Sequence, residues 1–88
     1  MSKMQNSNLA ELEIYSELIL TRVSKNVVKY RKMRNYSQMQ LALEIGLSGG
    51  AYIGRAELRK DNHHFNLKHL AKISKILDVD MCHFFELN

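Results

Sequence analysis

SQMQLALEIGLSGGAYIGRAE, residues 37–57, is the stretch on which the fold turns. Ser37 is a good N-cap, because its hydroxyl can accept a bond from a backbone N–H that the first helical turn leaves unpaired. Leu41, Ala42 and Ile45 follow at helical spacing and make one apolar face. Gly46 stands where that helix must stop, since a left-handed backbone costs little at glycine and much where a Cβ is present. Leu47 is an apolar anchor, and Ser48 a second candidate cap. A pair of glycines inside a helix costs about 1 kcal/mol each relative to alanine, so at least Gly49 is expected in the turn. Residues 51–57 are helical again, with Ile53 and Ala56 facing inward. Tyr52 and Arg55 lie three apart and are expected to share the outer face. A short helix that shows water a tyrosine and an arginine is a candidate for entering the DNA major groove.

The flanks read as helices too. Nothing breaks a helical pattern between Asn8 and Asn35. Leu9, Leu12, Tyr15, Ile19, Val23, Val27 and Tyr30 form a stripe at three- and four-residue steps. This is either one helix of about thirty residues or two helices bent near Ser16 or Thr21. Beyond Glu57, LRKDNHHFN has charge and turn formers but no apolar period, and reads as a loop from which Phe65 folds back onto the core. Asn66 caps the next helix, whose buried face is Leu67, Leu70, Ala71, Ile73, Ile76 and Leu77. That helix stops at Asp78, and Asp80 caps a short terminal helix.

The 37–57 stretch resembles the helix-turn-helix of the phage-repressor family, the Cro/C1 or Xre type. Gln38, Ala42 and Gly46 match its glutamine, small residue and glycine at four-residue steps, and Tyr52-Ile53-x-Arg55-x-Glu57 is similar to its recognition helix. The distance from Gly46 to Ile53 is one residue longer than the family's, with the extra residue at Gly49-Gly50. The resemblance implies an all-α fold: a compact five-helix lambda-repressor-like DNA-binding domain over residues 20–88, with an extra helical segment over 1–19. More weakly, Phe65-Asn66-Leu67-Lys68 and Phe84-Phe85-Glu86 resemble the controller proteins of restriction–modification systems within that family.

The implied function is sequence-specific binding of double-stranded DNA by a homodimeric transcriptional regulator on a palindromic operator. Gly50, Ala51, Tyr52 and Arg55 are then the candidates for base edges. Arg55 leads them, because arginine pairs bidentately with guanine. Arg34, Ser37, Gln38 and Ser48, with Arg59, Lys60, Asn62 and His63 from the following loop, are the candidates for phosphates. Gln38 has a second reading, as a brace for a side chain of the reading helix. The resemblance also pairs Arg31 with Glu57, as a structural ion pair that fixes the first helix against the reading helix. Met81, Phe84, Phe85 and Leu87 are more apolar surface than a short terminal helix leaves wet, and are the expected dimer interface. The competing reading is a protein-interaction module, such as the antitoxin half of a toxin–antitoxin pair, docking through residues 8–18. That segment reads equally as a cap laid over the core.

Composition fits these expectations. A chain of 88 residues allows one domain that buries only about 60–65% of its unfolded surface, so dimerisation would help it. Residues 1–20 carry one lysine against three glutamates, and residues 21–88 carry twelve Lys/Arg against six Asp/Glu. The folded body is therefore the basic part, which makes nucleic acid the first partner to consider. No run is apolar enough to span a membrane, and a lone Cys82 suits a reducing cytoplasm. No cofactor is implied. His63 and His64 are adjacent and poorly placed to share an ion, so no metal site is expected. No nucleophile stands beside a base and no Gly-rich phosphate loop is present, so an enzyme is not expected.

Overall fold

The computed structural model describes residues 6–87, and all regular structure among them is helical. Helix α1 spans Asn6–Met33, α2 Gln38–Glu44, α3 Ala51–Leu58 and α4 Leu67–Leu77. Single 3-10 turns lie at Lys60–Asn62 and Met81–Phe85. The expectation of five helices is corrected to four. The terminal segment tightens into a 3-10 turn because it is five residues long and Asp80 makes no side-chain cap bond.

The stops are set locally. At α1 the N–H of Tyr36 reaches the carbonyl of Arg31 and that of Asn35 reaches Lys32, with Asn35 left-handed at φ 62°. The same double bond closes α2, from Leu47 to Ala42 and from Gly46 to Leu43, with Gly46 at φ 93°. It closes α4 as well, from Val79 to Ser74 and from Asp78 to Lys75. These are Schellman endings, which satisfy carbonyls a helix leaves orphaned. The starts of α2 and α4 are capped by Ser37 and Asn66, whose side chains accept from the N–H groups of Gln40 and His69. Gln40 returns a bond to the Ser37 N–H and completes a capping box.

The core joins Val23, Val27 and Tyr30 of α1 to Leu41 and Ala42 of α2, Ile53 and Ala56 of α3, Leu70, Ile73 and Leu77 of α4, and Phe65 and Phe84. Leu67 and Ala71, expected on the buried face of α4, are exposed, and Ser74 takes a buried place there. Its hydroxyl is satisfied within the helix by the Ala71 carbonyl.

Helix α1 is one unbroken helix of 28 residues, about 42 Å long, with no bend or boundary at residue 19. It exceeds the body it packs on, which gives the molecule extents of 45 × 25 × 20 Å. The cap reading of residues 8–18 is therefore corrected. Leu9, Leu12, Ile14, Tyr15 and Leu18 are 52–70% exposed, because the helix carries them past the elements that could cover them.

Candidate nucleic-acid interface

Helices α2 and α3 sit against each other with little between them. A Cβ on Gly50 would come within 3.3 Å of the Met39 backbone nitrogen, and one on Gly54 within 3.4 Å of Gln38 Oε1. Glycine at these positions lets the start of α3 rest on the start of α2. Gly49 lies in the turn, and Gly50 is the N-cap of α3. Ser48 is not a cap, because α3 begins three residues after it, behind Gly50, with no side-chain cap bond.

The inner side of α3 is fixed by charge as well as by packing. Arg31 Nε donates to Glu57 Oε2 at 2.6 Å and a second guanidinium nitrogen donates to Oε1 at 3.1 Å. Arg31 also donates to the Tyr36 carbonyl at 2.8 Å, so it ties α1, the α1–α2 turn and α3 together. The two side chains are 9% and 4% exposed. Gln38 Nε2 adds a bond to Glu57 Oε1 at 2.8 Å, the geometry of the brace reading and not of a free phosphate ligand. Ser24 of α1 donates to the Ala56 carbonyl at 2.7 Å, a third tie onto α3.

The outer side of α3 carries Ala51 and Arg55, both exposed, with Gly54 half-buried and Leu58 exposed at its end. Arg55 makes no hydrogen bond or ion pair with any described residue. Tyr52 does not share that side, so its assignment to base edges is corrected. Its ring packs edge-on against Phe65 and His69, with centroids 6.0 and 4.6 Å away. Its hydroxyl donates to the His64 carbonyl and accepts from the Asn66 N–H, both at 3.3 Å. Burial pushes the Tyr52 hydroxyl above its ordinary pKa. Against it, His69 has a buried Nδ1 without a partner, and its pKa is lowered by burial and then by Lys72 and Lys68. Tyr52 therefore positions the loop before α4.

Two of the expected phosphate ligands are spent on the protein. Arg59 forms an ion pair with Glu17 of α1 and donates to the His63 carbonyl at 3.0 Å, with its side chain largely buried. Arg34 donates to the carbonyl of Leu77 at 2.7 Å and to that of Asp78, at the end of α4, where a cation suits the helix dipole. Lys60 and Asn62 are exposed in the 3-10 turn beyond α3, and His63 is half-buried with Nδ1 2.8 Å from the Lys60 carbonyl. Ser37, Ser48 and the start of α2 are exposed.

The terminal apolar set divides. Phe84 is fully buried in the core and Met81 packs partly against it, which corrects both as dimer contacts, while Phe85 and Leu87 remain exposed. The tail is held by Asn26, buried in α1, whose Nδ2 donates to the carbonyls of Phe84 and Glu86 at 2.9 Å. Tyr30 donates to Glu86 Oε1 at 2.7 Å, and that bond, aided by burial, raises the pKa of its hydroxyl. Sequence reasoning missed Ser24, Asn26 and the Glu17–Arg59 pair. For Ser24 and Asn26 a signal was present, since they fall between Val23 and Val27 in the apolar stripe.

Among the described residues, one group could share an ion: Asp80, Cys82 and His83, whose ligand atoms lie within 4.8 Å of one another. All three sit at the surface of the terminal turn, and three donors are one short of a closed tetrahedral set. No described helix is long and apolar enough to cross a membrane. No protein-family model, curated protein or solved structure matches the chain.

Proposed function

We propose that the chain is a helix-turn-helix protein of the Cro/C1 kind, which binds double-stranded DNA as a homodimer at a palindromic operator and regulates transcription. One observation carries the reading. Helix α3 is locked on its inner side by the Arg31–Glu57–Gln38 network, and its outer side shows small residues around a single unpaired cation, Arg55. Ala51 and Gly54 let a helix backbone approach a groove closely, and Arg55 supplies the guanidinium suited to guanine O6 and N7. The exposed Ser37 and Ser48, on either side of α2, and the cation Lys60 are suited to phosphates. Arg34 and Arg59 are left out of the binding set.

Selection of duplexes from a random-sequence pool tests this reading. The expected result is enrichment of a palindrome whose half-sites are about 34 Å apart, and a preference for it that persists when salt is raised. Binding that shows no sequence enrichment and collapses with salt would reduce the reading to net charge alone.

A second reading rests on a separate observation. Leu9, Leu12, Ile14, Tyr15 and Leu18 form an exposed apolar run, as a protein-interaction module such as an antitoxin would require. A toxin gene beside this one, with no enriched duplex, would favour it.

A further inference from the structure

The side of α1 that points away from the core carries Glu11, Ile14, Tyr15, Leu18, Arg22 and Lys25, at three- and four-residue steps. Ile14, Tyr15 and Leu18 are more than half exposed, and Glu11 and Lys25 are exposed and unpaired among the described residues. Beside them Leu18, Thr21, Arg22, Lys25 and Leu87 line an open groove of about 220 Å³. Leu87 is 79% exposed. With Ile14, Tyr15 and Leu18 it leaves apolar surface on the order of 500 Å² in water, a size at which a patch usually has a partner.

The charges on this side say which partner. It carries Glu11 toward its N-terminal end and Arg22 and Lys25 toward its C-terminal end, so two copies laid parallel would set like charges together. Laid antiparallel with Leu18 on the two-fold axis, Glu11 meets the partner's Lys25, Lys25 meets the partner's Glu11, and Ile14 falls at the level of the partner's Arg22, in the groove between Leu18 and Leu87. An isologous contact of this kind is self-complementary, as a two-fold dimer requires. We propose that the outer side of α1 over residues 11–25 is the homodimer interface, formed by antiparallel pairing with a second copy and centred on Leu18. The inference deepens the homodimer part of the proposed function, and it replaces the terminal turn as the dimer face. The paired charges set orientation more than affinity, and the apolar centre supplies most of the attraction.

Sedimentation of the full chain without DNA tests this independently of any operator. The wild-type chain is expected to dimerise, and Leu18→Lys to be monomeric at the same concentration with an unchanged helical circular dichroism signal. Glu11→Lys is expected to weaken the dimer about tenfold, and adding Lys25→Glu to restore it to within about threefold, because the swapped pair is again complementary. In a Cys82→Ser background, Leu18→Cys is expected to cross-link to itself on oxidation. A wild-type chain that stays monomeric at about 0.1 mM, a dimer indifferent to Leu18→Lys, or a double charge reversal no better than the single one would each overturn the proposal.

Discussion

The two halves of α1 share one helix and one apolar periodicity, yet they meet opposite surroundings. From Val23 to Arg31 one face of the helix is buried against α3 and the terminal turn, and polar Ser24, Asn26 and Arg31 are buried with it. From Leu9 to Leu18 five large apolar side chains face water. An apolar stripe records that a face can be covered, not what covers it. In the second half the covering elements belong to the same chain. In the first half they do not, and for Ile14, Tyr15 and Leu18 on the outer side a second copy is the occupant that the charge pattern fits.

That contrast can be broken or sharpened by substitution. The largest effect is expected at Arg31. Arg31→Met leaves the Glu57 carboxylate buried without its guanidinium, and urea unfolding should show a loss of about 3–5 kcal/mol. A loss under about 1 kcal/mol would mean that solvent reaches the pair and that it does not hold α3. Next comes Asn26→Ala, which strips the donors from the Phe84 and Glu86 carbonyls. A loss of about 1–3 kcal/mol is expected, with earlier amide exchange in the terminal turn.

A smaller effect follows from His69. Its folded pKa lies below the ordinary value of 6.5, so the unfolded chain binds the proton more tightly. The stability linked to this group is fully present above the unfolded value and is lost as pH falls through it toward the lower folded one. The unfolding midpoint should therefore drop between about pH 7 and pH 5, and His69→Gln should drop less. Equal drops in both proteins would contradict the assignment. The smallest effect is expected in the first half of α1. Leu12→Ala should change stability by no more than about 0.5 kcal/mol, because the side chain is already half exposed. A core-sized loss of about 2–5 kcal/mol would mean that this half is covered after all.

Much of the fold was legible because its signals are local. Ser37, Gly46, Asn66 and Asp78 mark helix ends through their own backbone and side-chain chemistry, and each marks one in the structure. Leu41, Ile53 and Ile73 fell on buried faces by spacing alone. What was not legible depends on where a side chain meets a distant partner. Tyr52 and Arg55 stand three apart, but the loop before α4 returns beside α3 and claims Tyr52. Arg59 looked like a free loop cation until the long first helix brought Glu17 beside it, 42 residues away in sequence. Phe84 looked like surplus surface because nothing local tells that Asn26 pulls its carbonyl, and so its ring, into the core. At the candidate site the spacing pointed to Arg55, and the helix packing leaves it exposed and unpaired.

The proposed role of Arg55 as a reader of sequence is reached directly by one measurement. It is the ratio of dissociation constants for a selected duplex and a scrambled one, for wild type and Arg55→Ala at a fixed salt concentration. The substitution is expected to lower this discrimination about 5- to 150-fold, the equivalent of about 1–3 kcal/mol, while affinity for the scrambled duplex changes little. Equal losses on both duplexes would make Arg55 one more phosphate ligand, and α3 would not be the helix that reads.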